Sequence, residues 1–159
     1  MRRLGLVLAV LVLVGCAQSA ATPRPEVDAK REWTANITVA IGQLRNDVSQ
    51  TQLIGGAPGA DQEALRDEST LYALLIAYSD LAGCRHIVAS AGSPPPHAVA
   101  IGSALGSACV HLERAASLFT RAATNRDGRP LAVATHEARR ALPALVRAAA
   151  ALARLSGRR

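Results

Sequence analysis

Aromatic side chains are nearly missing from this chain: Trp33, Tyr72, Tyr78 and Phe119 are all it has. Proteins that grip sugars or single-stranded nucleic acid lean on stacking surfaces, so this scarcity counts against both classes. Long apolar runs are also wanting, and no stretch reaches the ~20 residues that a membrane-spanning helix needs. Lysine is reduced to Lys30, which leaves arginine to carry the positive charge. The motifs of common chemistries are absent too. There is no Gly-x-Ser-x-Gly, no glycine loop leading into a lysine, no Cys-x-x-Cys and no Glu-x-x-His. His136-Glu137-Ala138-Arg139-Arg140 begins like a metalloprotease helix but lacks the second histidine that would complete a metal pair. The sequence therefore offers no catalytic residue, no metal site and no cofactor, and it points away from an enzyme.

What is present at the start is an ordered series. Arg2 and Arg3 precede an uncharged run, Leu4 to Val14, broken only by Gly5, and the run closes in Leu13-Val14-Gly15-Cys16. Positive residues followed by a short apolar stretch are the layout of a secretory signal. Its 11 residues would rise ~16 Å as a helix, about half of the ~30 Å hydrocarbon core, so the run is too short to span. The closing residues resemble the lipobox of bacterial lipoproteins. That resemblance covers residues 1–16 only. It implies that a dedicated peptidase removes residues 1–15 and that Cys16 becomes the first residue of the mature protein, carrying diacylglyceryl and palmitate chains. Each buried CH₂ contributes about 0.8 kcal/mol, and two or more chains hold a protein stably at a bilayer. The expected location is the extracytoplasmic face of a cell membrane, with membrane lipid as the first partner through Cys16.

Residues 17–25 (AQSAATPRP) are small, polar and proline-bearing, the composition of a flexible tether. From Glu26 the pattern turns helical and stays so, which assigns residues 26–159 to one domain. Trp33, Ile37, Ile41, Leu44 and Val48 recur at spacings of three and four and define the inward face of a first helix. Gly55-Gly56-Ala57-Pro58-Gly59 breaks it. A second helix is expected from Asp61 to about Ala91, with Leu65, Leu71, Leu74, Leu75, Tyr78, Leu81 and Val88 inward. After Gly92-Ser93-Pro94-Pro95-Pro96 a third carries the cleanest repeat: Ala98, Ile101, Leu105, Cys109, Leu112, Ala116 and Phe119. Its Gly102 and Gly106, four apart, suit close packing against a neighbour. A turn over residues 124–129 leads to Pro130, suited to the first position of a helix. The fourth helix presents Leu131, Ala138, Leu142, Leu145, Ala149 and Leu152, and Pro143 inside it should kink it. Four amphipathic helices joined by short breaks predict an all-α fold, an up-down-up-down four-helix bundle behind a lipidated tether.

In such a bundle the chain leaves near where it enters. Arg154, Arg158 and Arg159 and the 92–97 turn are then expected at the membrane-proximal end, with the arginines either touching anionic headgroups or forming a solvated tail. Charge is unevenly divided. Residues 17–80 hold 5 basic and 9 acidic side chains, and residues 81–159 hold 11 and 3. This split fits either an anionic partner, a lipid headgroup or cell-wall polymer rather than nucleic acid, or two halves of a bundle attracting each other.

With Cys16 committed to lipid, Cys84 and Cys109 remain as an even pair in an oxidising compartment. Both lie on inward faces of neighbouring helices, so they form either a disulfide or two buried thiols. A bridge requires the third helix to start late or a stagger of ~9 Å. Cys84-x-His86 and Cys109-x-His111 together have the composition of a zinc site, but residues two apart on a helix point ~200° apart, which sets both histidines outward as exposed polar groups. Asp80 is the one acid within the apolar run of the second helix. Two functions follow from the sequence: a non-catalytic envelope protein that binds an as yet unidentified envelope component or serves as an accessory subunit, or a carrier of a small ligand or metal in a cavity near Asp80, His86 or His111.

Overall fold

The computed structural model describes residues 26–55 and 60–157, and these form an all-α helical bundle. Helix α1 (Glu26–Gly55) begins with Glu26 and Asp28 in its first turn, where acids meet the positive end of the helix dipole. All five residues expected on its inner stripe are buried, from Trp33 to Val48.

The second expected helix is three. A short α2 (Ala60–Ala64) ends in a tight turn in which the Glu63 carbonyl accepts from the amides of both Arg66 and Asp67, each at 2.9 Å. Asp67 then caps α3 (Glu68–Ala82), its carboxylate accepting from the Thr70 amide at 2.8 Å and the Ser69 hydroxyl at 2.7 Å. An aspartate that satisfies the free amides of a new helix competes with continuation of the old one, which is why the chain restarts there. Gly83 separates α3 from α4 (Cys84–Ser90). The restart also resets the inner face to Leu74, Ala77, Tyr78 and Leu81. Leu75, expected inward, lies one residue off this stripe and is 47% exposed.

Helix α5 (Val99–Asn125) buries all seven residues of its expected stripe, but Gly102 and Gly106, expected to pack closely against a neighbour, are exposed, with nothing within 4 Å of where a Cβ would stand. It ends at Arg126, which takes the left-handed conformation with φ 49°. Asp67's device recurs at Asp127, whose carboxylate accepts from the Arg129 amide at 3.0 Å at the start of α6 (Gly128–Arg140). Pro130 is therefore the third residue of its helix rather than the first. The kink expected at Pro143 is a full interruption. Ala141 divides α6 from α7 (Leu142–Gly157), and the amides of Ala144 and Leu145 both turn to the Ala141 carbonyl at 3.0 Å. Pro143 thereby falls in a first turn, where its missing N–H leaves no bond unmade.

Helices α3 and α4 pack against both α1 and α5, as do α6 and α7, and Tyr78 stacks on Phe119 at 4.4 Å between ring centres. At one end Val27, Pro95, Pro96 and Leu155 line a common hollow, so the start of α1, the α4–α5 turn and the end of α7 meet there. At the other end Gln62 clamps the α5–α6 turn to α2, donating to the Arg126 carbonyl and accepting from the Gly128 amide, both at 3.0 Å. Gly55 passes so close to α6 that a Cβ on it would lie 2.8 Å from the Thr135 hydroxyl.

Candidate functional site

Cys16, Arg158 and Arg159 lie outside the described residues. Cys84 and Cys109 are joined as a disulfide, with Cα atoms 5.4 Å apart, in the core between α4 and α5. Cys84 lies six residues before the end of α4 and Cys109 ten after the start of α5. The resulting offset of ~6 Å is taken up by the irregular 91–98 segment, with the late helix start that a bridge demands. One turn on, Arg85 reaches Glu113 at 2.9 Å across the same seam.

His86 is exposed. His111 is not the exposed residue expected from sequence: it is half-buried, and its Nδ1 lies 3.0 Å from Oε2 of buried Glu137 on α6. Arg140 donates to the other Glu137 oxygen at 3.1 Å. The hydrogen bond with His111, helped by the charges of Arg140 and Arg114 and opposed by burial, holds the Glu137 carboxyl below its ordinary pKa. Asp80 is half-buried on α3 and accepts from the Gln43 amide of α1 at 3.4 Å. Asp80 and His111 thus serve different seams, α1–α3 and α5–α6.

Helical periodicity alone does not single out two buried carboxylates, Glu137 and Asp47. Asp47 is 8% exposed, and its Oδ2 has no partner among the described residues. Burial, reinforced by the charge of Asp80 and eased by the Asn46 side chain, pushes its carboxyl up to about 6. Its position between Leu44 and Val48 on the inner stripe was the available signal. Tyr78, expected inward, is buried: its hydroxyl lies 3.3 Å from that of Thr135, and burial pushes the phenol up to about 12.

Arg154 is exposed in the last turn of α7, on the wall of an open groove between α5 and α7 with a volume of about 550 Å³. Arg147 stands on the same wall, Ser103 and Ser107 lie opposite, and the floor is alanine. Among the described residues no three side chains of His, Cys, Asp or Glu converge as metal ligands, and no helix is long and apolar enough to cross a membrane. The arrangement offers ionic and hydrogen-bonding contacts on a rigid frame. Comparison with protein-family models, with characterised proteins and with solved structures finds no significant match to this chain.

Proposed function

We propose that this chain is a membrane-anchored extracytoplasmic lipoprotein whose helical domain is a non-catalytic binding or accessory protein of the cell envelope. The observation that carries this reading is the series Arg2-Arg3, apolar Leu4–Val14 and Leu13-Val14-Gly15-Cys16. It supplies an export signal and an acylated cysteine as one unit. The domain is read as an up-down-up-down bundle of four legs: α1, α2–α4, α5 and α6–α7. The pairing of both α3–α4 and α6–α7 with α1 and with α5 supports that topology. The hollow shared by Val27, Pro95 and Leu155 supports an orientation in which this end faces the bilayer, because Glu26 stands only ten residues beyond Cys16. At ~3.3 Å per residue those ten cover at most ~33 Å. Arg154, with Arg158 and Arg159 following it, is then within reach of anionic headgroups.

Labelling with an alkyne analogue of palmitate tests the anchor. Wild type takes the label and fractionates with membranes, whereas Cys16→Ser takes none and keeps residues 1–15 uncut. Equal labelling and cleavage of the two proteins would overturn the reading. Cross-linking of the labelled protein in intact cells then identifies the envelope component against which the bundle packs.

A further inference from the structure

We propose that the groove between α5 and α7 binds an anionic phospholipid with a polyol headgroup, of the phosphatidylglycerol class. The inference rests on the anchored-bundle reading for the source of the ligand and adds to it a defined site. Three features of the groove select the ligand.

The first is charge. From Val99 to Leu112 on α5, and along all of α7, there is no acidic residue. Arg147 and Arg154 supply the charge of the groove, and among the described residues neither has an ion-pair partner. They stand seven residues apart on one face, ~10 Å along the helix axis, so both guanidinium groups can turn toward one phosphodiester lodged between them. The second feature is the opposite wall. Ser103 and Ser107 are four residues apart and therefore neighbours on the face of α5 that lines the groove. Their hydroxyls can donate to and accept from the hydroxyls of a polyol. Alanines between the walls leave a trough of about 550 Å³, a size suited to a headgroup.

The third feature gives the ligand a direction. The groove shares Ala151 and Arg154 with a smaller hollow of about 150 Å³, which contains Ile101, His97 and Leu155. That hollow shares His97 and Leu155 with a third, of about 320 Å³, lined by Val27, Pro95 and Pro96 and flanked by Glu26 and Lys30. The three make one track. Its inner part carries the uncompensated charge of Arg147 and Arg154 beside the two serines, and its outer part, at the end assigned to the bilayer, presents Val27, Pro95, Pro96 and Leu155 with Glu26 and Lys30 offsetting each other. A phospholipid fits this order of charge and larger apolar side chains, with its phosphate and polyol against the arginines and serines and its glycerol esters and first methylenes outward past Leu155 and Val27. A linear anionic polymer would leave the apolar part of the track unused.

Native mass spectrometry of the full chain, released from a neutral detergent, tests the site with dihexanoyl phosphatidylglycerol, dihexanoyl phosphatidylcholine and glycerol phosphate as probes. The phosphatidylglycerol adduct is expected at one per chain, with the phosphatidylcholine adduct about tenfold weaker. Arg147→Ala with Arg154→Ala should weaken the adduct roughly tenfold, since it removes two charge-assisted contacts. Ser103→Trp fills the trough without changing charge and should weaken it as much. Ser103 is exposed, far-UV circular dichroism confirms that the bundle is intact, and Ser107→Trp repeats the test from the next turn of the same wall. Arg114→Ala with Arg121→Ala, on another part of α5, should leave it unchanged. Equal binding of the two lipids, or an adduct unaffected by either tryptophan, would overturn the proposal in favour of diffuse charge attraction. Glycerol phosphate binding as tightly as the lipid would overturn it in favour of a soluble phosphate ester. Each probe is added in solution, so these outcomes do not depend on whether Cys16 is acylated, and failure of the anchor is scored separately by the palmitate label.

Discussion

The two longest helices bury equivalent apolar stripes but are fastened differently. α5 is tied to α4 by the Cys84–Cys109 bridge and the Arg85–Glu113 ion pair, and to α6 by the His111–Glu137 hydrogen bond. Among the described residues, the side-chain hydrogen bonds from α1 to its neighbours are longer. Gln43 donates to Asp80 at 3.4 Å and Asn36 donates to the Ala91 carbonyl at 3.5 Å. Each helix also borders one buried carboxylate, and the two are treated in opposite ways. Glu137 accepts from two partners and is held in its charged form, whereas Asp47 has a buried oxygen without a partner among the described residues and is pushed toward its neutral form. Apolar packing can hold α1 in place, but it gives that seam no defence against charge. In a partial opening of the bundle, α1 should therefore separate before α5 does.

The largest effect should come from cutting the covalent tie. The bridge closes a loop with a sequence separation of 25, which in the chain-entropy account stabilises the fold by roughly 3.5 kcal/mol. Urea unfolding of the Cys84→Ser, Cys109→Ser variant should show a loss of that order, and addition of reductant to wild type should reproduce it. An unchanged midpoint would mean that α5 owes nothing to the bridge. Next in size is Glu137→Gln, which removes the charge that His111 and Arg140 face. His111 and Arg140 are partly in water, so the loss should be about 2 kcal/mol at neutral pH, less than for a fully buried pair. The sign with pH is fixed by the direction of the shift. A carboxyl held below its ordinary value contributes above about pH 4.5 and loses that contribution as pH falls through the depressed value. The gap between wild type and Glu137→Gln should therefore close in acid. A gap that stayed constant down to pH 2 would show that shape, not charge, is what Glu137 provides.

The same contrast explains what could be read from sequence. The inner faces of α1 and α5 were legible because their three-and-four spacing runs unbroken, and Cys109 could be placed inward because it stands between Leu105 and Leu112 on that stripe. The division of the second leg was not. Asp67 and Gly83 both fit within a helical pattern, and only the bonds from Thr70 and Ser69 to the Asp67 carboxylate reveal a cap. Pro143 announced a distortion but not its form, because whether a helix bends or restarts depends on where neighbouring carbonyls find partners. The charged seams were the least legible. Periodicity assigns acids to the solvent side by default, yet Asp47 and Glu137 both sit on inner stripes. His111 could be paired only by knowing that α6 lies beside α5. The α5–α7 groove was hidden for a related reason: alanine and serine at successive turns read as close packing, and only the separation of the two helices turns them into a trough.

Asp47→Asn sharpens the comparison most, although its effect should be the smallest, because it runs opposite to the effect at Glu137. The folded chain raises the Asp47 carboxyl from 3.8 to about 6. The folded state therefore holds the proton more tightly than the unfolded one. The cost of the buried charge is absent below pH 3.8, grows between that value and about 6, and is complete above it. Replacing the carboxylate with a neutral amide should stabilise the protein by about 1–2 kcal/mol at pH 7.5, a typical cost of an unpaired buried polar charge after partial hydration. At pH 4, where Asp47 is already largely neutral, the gain should vanish. Amide exchange across α1 should slow at the higher pH and not at the lower. An equal gain at both pH values would show that the side chain's shape, rather than its charge, loosens the α1 seam. A loss at pH 7.5 would mean that the Asp47 oxygen is satisfied in solution, and the contrast between the two helices would then rest on the disulfide alone.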